Sequence, residues 1–125
     1  MEAQPLIRPN IDHAIESNKV GNYWLGNYRP DGSFRANYVG RSDTCLRRRL
    51  HNHAATYKFQ AFIVREARTI KEAFEIECRE WHLIGKTSRG TNAIHPRTPR
   101  HLRVYKCPYC EYDSSKEVTA RDYTT

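Results

Sequence analysis

The sequence predicts a small α+β domain built on an antiparallel sheet, and two patterns carry this prediction. A turn signal, Arg29–Ser33 with Pro30 and Gly32, separates two segments rich in aromatic and branched residues, which is typical of a β-hairpin. Downstream, the run Ala61–Val64 lacks polar alternation, and Thr69–Gly85 repeats apolar residues at helical spacing. With 125 residues, the chain has enough material for one core and too little for two ordinary domains.

The hairpin is expected to place two tyrosines on one face. If Asp31–Gly32 forms its tip, Tyr23 lies near Gly40 and Leu25 lies near Tyr38 on the opposing strand. Residues two apart on a strand share a face, so Tyr23 and Tyr38 should be no more than one diagonal step apart.

Helices and one further strand complete the predicted fold. Asn10 is a candidate cap for a short helix over Ile11–Ser17, and Ser42–Thr44 offers caps ahead of a second helix, Leu46–His53. Because the run 61–64 is apolar on both faces, a central strand is expected within 58–64.

The third helix carries a carboxylate on its apolar side. It begins with a capping box, Thr69-x-x-Glu72. Four residues form its apolar stripe: Ile70, Phe74, Trp81 and Ile84. Glu77 falls within that stripe. Since burying an unpaired carboxylate is costly, Glu77 needs either an arginine in a buried ion pair or a metal ion in a functional cleft.

A zinc site is predicted near the C-terminus. Cys78 and His82 lie four residues apart on one helix, so both project from the same face. Cys107 and Cys110 form a CxxC knuckle, and together the four make a Cys3His set that could close a tetrahedral structural zinc site.

Two alternatives to this set remain at the level of sequence. The CxxC pair could be a redox site, although such pairs normally open a helix and this one lies beyond the last predicted helix. His95 or His101 could also take the place of His82 as the nitrogen ligand.

The charge favours an anionic partner. Lys and Arg number 21 against 14 Asp and Glu, which gives a net charge of +7, although a generically basic surface would give the same balance. Mean hydropathy is −0.84, and no apolar run approaches the ~20 residues that span a bilayer. Met1–Pro9 shows no apolar core of a secretory signal. We therefore expect a cytoplasmic protein with no membrane partner.

The motifs from residue 21 to about residue 96 resemble those of the GIY-YIG nuclease family. Gly21-Asn22-Tyr23 and Tyr38-Val39-Gly40 are similar to its two naming motifs, with Asn22 in place of an apolar residue. Further matches follow in the family's order: Leu46-x-x-Arg49, His53, Glu72-Ala73-Phe74-Glu75-Ile76-Glu77 and Asn92.

The resemblance implies a fold and a division of the chain. The family fold has a three-stranded antiparallel sheet flanked by helices. The nuclease core would then occupy residues 21–96, after a lead-in over 1–20 and before a zinc-stapled extension over 97–125.

The resemblance also implies metal-dependent hydrolysis of phosphodiester bonds in nucleic acid, with double-stranded DNA as the expected substrate and a monomer or homodimer as the expected assembly. Glu77 would hold one Mg²⁺ or Mn²⁺, and either Tyr23 or His53 would act as the base. The implied catalytic set is Tyr23, Tyr38, Arg49, His53, Glu77 and Asn92.

Substrate contacts are expected around that set. Gly40 would allow close approach of the backbone, and arginines would contact phosphates: Arg41, Arg47, Arg97, Arg100 and Arg103. The alternative function is a non-catalytic, zinc-stabilised nucleic-acid-binding module, which would need the basic surface and the zinc but not the combination of Tyr23, Arg49 and Glu77. A third is a protein-interaction domain in which zinc serves only stability.

Overall fold

The structure, a computed structural model, describes residues 2–84, 95–99 and 107–110. Three of the residues predicted to act on substrate, Asn92, Arg100 and Arg103, lie outside this part of the chain. The elements are β1 (Gln4–Pro5), α1 (Arg8–Ala14), β2 (Gly21–Tyr28), β3 (Phe34–Ser42), α2 (Leu46–Ala54), β4 (Ala61–Glu66) and α3 (Ile70–Ile84).

The sheet is antiparallel, as predicted, but it has four strands in the described residues instead of three. Their order is β1-β4-β2-β3, so β4 lies inside the sheet. The additional strand, β1, pairs Gln4 with Phe62 and Pro5 with Ala61. A strand of two residues shows no alternation in sequence, and proline is tolerated there because β1 lies at the sheet edge.

The hairpin has the predicted register, with Tyr23 opposite Gly40 and Leu25 opposite Tyr38. At its tip, the Gly32 amide donates to the Arg29 carbonyl at 2.9 Å, and Gly32 adopts a φ of 89°. That left-handed conformation is one that glycine adopts without steric cost.

One face of the sheet packs against α1 and α2. The buried side chains on this side come from both helices, from the residues that flank α1, from the odd-numbered positions of β2 and from β4: Leu6, Ile11, Ile15, Tyr23, Leu25, Leu46, Leu50 and Phe62. Helix α1 begins at Arg8, earlier than the predicted start at Ile11, because Pro9 stands in its first turn. Asn10 is therefore inside the helix, where its Nδ2 donates to the Pro5 carbonyl at 3.0 Å.

The other face packs against α3. The Thr69 hydroxyl accepts the Glu72 amide at 3.0 Å, as the capping box predicts, while the Glu72 carboxylate accepts from the Arg68 amide and not from Thr69. Asn22 donates its amide to the Ala73 carbonyl at 2.8 Å, and the Trp24 indole donates to Glu80 at 3.1 Å. The even-numbered positions of β2 thus fasten the sheet to α3.

None of the helices in the described ranges combines the length and apolar character that a bilayer-spanning helix needs.

Candidate catalytic cleft and metal centre

A cavity of about 360 Å³ lies where the end of β3 meets α2 and α3. Its lining comes from four regular elements and from the 95–99 segment: Tyr23, Tyr38, Gly40, Arg41, Ser42, Asp43, Thr44, Arg49, Glu77 and Arg97. Polar and charged groups from distant parts of the sequence therefore face one space.

Tyr23, Tyr38 and His53 form an aromatic group beside this cavity. The Tyr23 hydroxyl and His53 Nε2 lie 2.9 Å apart. The Tyr23 and Tyr38 rings stack at 6.2 Å between centroids, and the His53 ring lies 5.5 Å from that of Tyr38. Gly40 makes this packing possible, since a Cβ there would collide with Cζ and the hydroxyl of Tyr23.

The protonation of the Tyr23–His53 pair follows from its surroundings. Burial and the neighbouring Tyr38 raise the pKa of Tyr23 above its ordinary value. Burial, with the positive charges of Arg49 and Lys58, lowers the pKa of His53 to about 4. At neutral pH the tyrosine is therefore un-ionised and the imidazole is uncharged, and the tautomer of His53 sets which of the two groups donates.

Glu77 is paired with Arg41. Arg41 Nη1 lies 2.6 Å from Glu77 Oε1, and the two side chains are 11% and 13% exposed. Arg41 also donates from Nε to Asp43 Oδ1 at 2.9 Å and from Nη2 to the Arg97 carbonyl at 2.5 Å. Its guanidinium lies 5.2 Å from the centre of the Phe74 ring. The sequence predicted that Glu77 needs a cationic partner. In the structure that partner is Arg41, which was expected to contact the substrate.

Burial dominates the acidity of Glu77. It raises the pKa of the carboxyl to about 7, and the nearby Arg41 guanidinium offsets only part of that effect. A carboxyl whose pKa lies near neutrality in a cleft is a recurrent property of functional sites.

The arginines of α2 have separate environments. Arg49 lines the cavity and is close enough to Tyr23 and His53 to lower the pKa of each. Arg47 does not line it, because its guanidinium donates to the Ile15 carbonyl at 2.8 Å and to the Asp12 carbonyl at 2.9 Å. Arg47 therefore ties α2 to α1.

A second cluster, which we call the His2Cys2 cluster, could hold a metal ion. It consists of His82, His95, Cys107 and Cys110, whose ligand atoms all lie within 4.8 Å of one another. His82 Nε2 is 3.4 Å from the Cys107 sulfur, and His95 Nε2 is 3.4 Å from the Cys110 sulfur. In a tetrahedral site with Zn–S of about 2.3 Å and Zn–N of about 2.0–2.1 Å, a sulfur and a nitrogen lie about 3.5 Å apart.

The orientation of His95 suits a metal ligand. Its Nδ1 lies 2.9 Å from the Pro96 carbonyl, so Nδ1 carries the proton and Nε2 directs its lone pair toward the cysteines. Metal-binding histidines are commonly fixed in this way. The Trp81 ring packs edge-on against His95 at 5.0 Å and against His82 at 5.2 Å.

The predicted set was Cys78, His82, Cys107 and Cys110, whereas the cluster that the structure brings together contains His95 and not Cys78. Cys78 is fully buried, and its thiol donates to the Cys107 sulfur. That hydrogen bond lowers the pKa of Cys107, while the pKa of Cys78 is raised. In this arrangement Cys78 contacts a member of the cluster from outside it.

Sequence reasoning missed two features of these sites. Asp43 was expected only as a helix cap, yet it lines the cavity and holds Arg41. His95 was considered only as a substitute for His82, and no helical spacing marks it. The dipeptide His95-Pro96 was the only signal, since a proline restricts the residue before it.

The chain matches no protein-family model, no curated protein sequence and no solved structure.

Proposed function

We propose that the chain is a metal-dependent endonuclease of the GIY-YIG type, which hydrolyses phosphodiester bonds in DNA. One observation carries the proposal: Tyr23, Tyr38, Arg49 and Glu77, which lie on β2, β3, α2 and α3, line the same cavity. The motif resemblance selected these residues from the sequence alone. Strand geometry relates the two tyrosines, but nothing in the sequence separation requires Arg49 and Glu77 to meet them.

The chain's own groups can move the proton of an attacking water. Tyr23 would accept a proton from that water as it passes its own to His53, whose Nε2 lies 2.9 Å away and is uncharged at neutral pH. This relay avoids a free tyrosinate, which the burial of Tyr23 disfavours. It forms an imidazolium instead, which burial and the charges of Arg49 and Lys58 also disfavour, so the relay depends on the negative charge of a bound phosphate to stabilise that imidazolium. Arg49 would stabilise negative charge on the phosphate oxygens.

The oxygen donors of the cleft fit one divalent cation. Glu77 and Asp43 flank the Arg41 guanidinium, and hard carboxylate oxygens are the ligands that Mg²⁺ prefers. Arg41 already neutralises Glu77. A divalent ion can therefore bind these oxygens only if the Arg41–Glu77 contact breaks. Bound there, Mg²⁺ or Mn²⁺ would polarise the phosphate and stabilise the leaving 3′ oxygen. Arg41, once released from Glu77, would be free to contact the phosphate.

Zinc is the metal that best suits the His2Cys2 cluster, and we assign it a structural role. Two thiolates and two imidazoles are a common structural zinc set, and all four positions are filled by protein. The cluster joins α3 to segments 95–99 and 107–110, which contain no α-helix and no strand.

DNA is the proposed substrate because the cleft and the chain are both basic. Arg41, Arg49 and Arg97 line the cavity, and the whole chain carries a net charge of +7. Electrostatic attraction to phosphates is the sequence-independent part of DNA binding. We propose that the protein acts on double-stranded DNA as a monomer or a homodimer.

A non-catalytic nucleic-acid-binding module is the second candidate. The observation that favours it is the Arg41–Glu77 ion pair at 2.6 Å, since it gives Glu77 a structural partner without any metal ion.

Cleavage of supercoiled plasmid separates the two candidates. With Mg²⁺ or Mn²⁺, the wild-type protein should nick the plasmid, and Glu77→Ala and Arg49→Ala should each lower the rate by about 10²-fold or more. Glu75→Ala and Arg48→Ala are matched controls, because they alter neighbouring residues that do not line the cavity. Folded, zinc-loaded protein that cuts neither plasmid, forked nor single-stranded DNA would favour the binding module.

A further inference from the structure

The His2Cys2 cluster and the cleft are joined by a very short stretch of chain. His95 belongs to the cluster, and Arg97 lines the cleft. Two residues of extended chain span at most about 7 Å. The position of the His95 ring therefore limits where the Arg97 backbone can lie.

The Arg97 backbone is in turn one of three acceptors that hold the Arg41 guanidinium. The other two, Glu77 and Asp43, belong to α3 and to the residue that follows β3, so the packed sheet and helix position them. The Arg97 carbonyl accepts from Nη2 at 2.5 Å, and it comes from residues 95–99, which form neither a helix nor a strand.

The anchor for this segment lies at its first residue. His95 is 5% exposed, its ring packs on Trp81 at 5.0 Å, and its Nε2 faces the Cys110 sulfur at 3.4 Å. Its Nδ1 bonds the carbonyl of Pro96, which directly precedes Arg97. A metal ion on Nε2 would thus fix both the imidazole and the peptide that leads into the cleft.

We infer that the His2Cys2 cluster positions the cleft: zinc bound to His95 holds the Arg97 carbonyl against Arg41 and so sets the guanidinium between Glu77 and Asp43. This deepens the proposed function and rests on the proposed zinc. It concerns the cleft before a divalent ion displaces Arg41 from Glu77, and the coupling can be measured at Arg41 without DNA or a divalent ion. Zinc would therefore influence the position of Arg41. This side chain belongs to β3 and contacts no zinc ligand in the hydrogen bonds described above.

The test separates zinc binding from coupling. Two glycines inserted between Pro96 and Arg97 leave all four ligands in the chain but release Arg97 from His95. In the zinc-loaded, ¹⁵N-labelled full chain, the Nε–H resonance of Arg41, identified by its loss in Arg41→Lys, reports the guanidinium. The insertion should keep one zinc per chain and shift or abolish that resonance. The same two glycines inserted between Asp31 and Gly32, at the hairpin tip, should leave it in place.

A zinc-loaded insertion variant with an unchanged Arg41 resonance would overturn the inference. If the insertion loses zinc, the same resonance is followed in the wild-type chain as zinc is removed and returned, with the Leu25 amide as the reporter that the sheet persists. If the Arg41 resonance does not change when zinc is removed, and the Leu25 amide resonance is also unchanged, the inference is overturned. Absence of DNA cleavage would count against the proposed function and would leave this result unaffected.

Discussion

The Tyr23 hydroxyl and Nε2 of His53 lie 2.9 Å apart, although the two residues are 30 positions apart in the chain. The pKa of Tyr23 is raised and that of His53 is lowered to about 4, in each case chiefly by burial. At neutral pH the tyrosine is therefore un-ionised and the imidazole is uncharged. Both shifts oppose transfer of the Tyr23 proton to His53 when no substrate is bound, so such a transfer has to be coupled to the gain of a proton by Tyr23 from the attacking water.

Removal of the Tyr23 hydroxyl should abolish most of the proposed activity while leaving the fold in place. Tyr23→Phe keeps the ring that packs in the core, and we expect DNA cleavage to fall by about 10²–10⁴-fold because the proton path is lost. Single-turnover cleavage of plasmid measures this. Tyr57→Phe is the control, since Tyr57 is 91% exposed. Equal rates for the two variants would show that the Tyr23 hydroxyl takes no part in the reaction.

The half-buried, neutral His53 should make the protein less stable in mild acid. Its pKa is about 4 in the folded chain against an ordinary 6.5, so between these values the unfolded chain binds a proton that the folded chain does not. The contribution is complete above pH 6.5 and is lost as pH falls toward 4. The free energy of unfolding should therefore decrease over this window, with a slope below about 1.4 kcal/mol per pH unit because His53 is partly exposed.

Urea denaturation at a series of pH values measures that slope, and His53→Gln provides the comparison. Glutamine can still accept from Tyr23 and does not titrate, so the slope should be smaller in this variant. Identical slopes in the two proteins would assign the pH dependence to other groups.

A methyl group at Gly40 should destabilise the protein through Tyr23. Gly40→Ala places its Cβ against Cζ and the hydroxyl of Tyr23, and overpacking of this kind costs about 1–3 kcal/mol. Thermal or urea unfolding measures the loss. In a Tyr23→Leu background the same change should cost much less, since the ring is absent. Additive effects of the two substitutions would contradict the contact.

A carboxylate at position 22 should weaken the attachment of α3 to the sheet. The Asn22 side chain is fully buried, and its Nδ2 donates to the Ala73 carbonyl, while its Oδ1 has no hydrogen-bond partner among the residues that the structure describes. Asn22→Asp removes the donor and buries a charge, so we expect the free energy of unfolding to fall by about 3 kcal/mol or more. Asn27→Asp should cost little, because Asn27 uses its Oδ1 as an acceptor. If both variants lose a similar amount of unfolding free energy, Asn22 does not attach α3 to the sheet.

Substitutions at His95 and Cys78 should distinguish the two possible ligand sets. His95→Ala should lower zinc affinity strongly, whereas Cys78→Ala should retain one zinc per chain, because Cys78 only donates to the Cys107 sulfur. Zinc content by mass spectrometry and the visible spectrum of the cobalt form report the number and type of ligands. Loss of zinc from Cys78→Ala with retention in His95→Ala would restore the Cys3His set.

Local signals in the sequence were sufficient for most of the fold. The hairpin register followed from one turn, and α3 followed from its capping box and apolar stripe. Strand β1 did not, because two residues carry no periodicity and their conformation depends on pairing with Phe62 and Ala61 far along the chain. The short α1 was misplaced by three residues at its start, since Asn10 looked like a cap and Pro9 in fact opens the helix.

The sites depended more on tertiary structure. Tyr23 and Tyr38 could be placed together because strand geometry alone relates them. Glu77 could be recognised as a carboxylate on an apolar face, but Arg41 could not be chosen as its partner among so many arginines. Helical spacing favoured Cys78 with His82, although a shared helix face does not decide which side chain reaches a metal and which packs beneath it.

The outer edge of β4 is only half covered in the described part of the chain. Strand β1 pairs with Ala61 and Phe62, and beyond it the edge continues through Ile63 and Val64 to the charged residues at 65 and 66. Charges at a strand end discourage pairing with another molecule, whereas a bare apolar edge invites it. Loss of the residues before α1 would uncover the run 61–64 along its whole length. The two-residue strand thus protects the protein against edge-to-edge aggregation, a role out of proportion to its size.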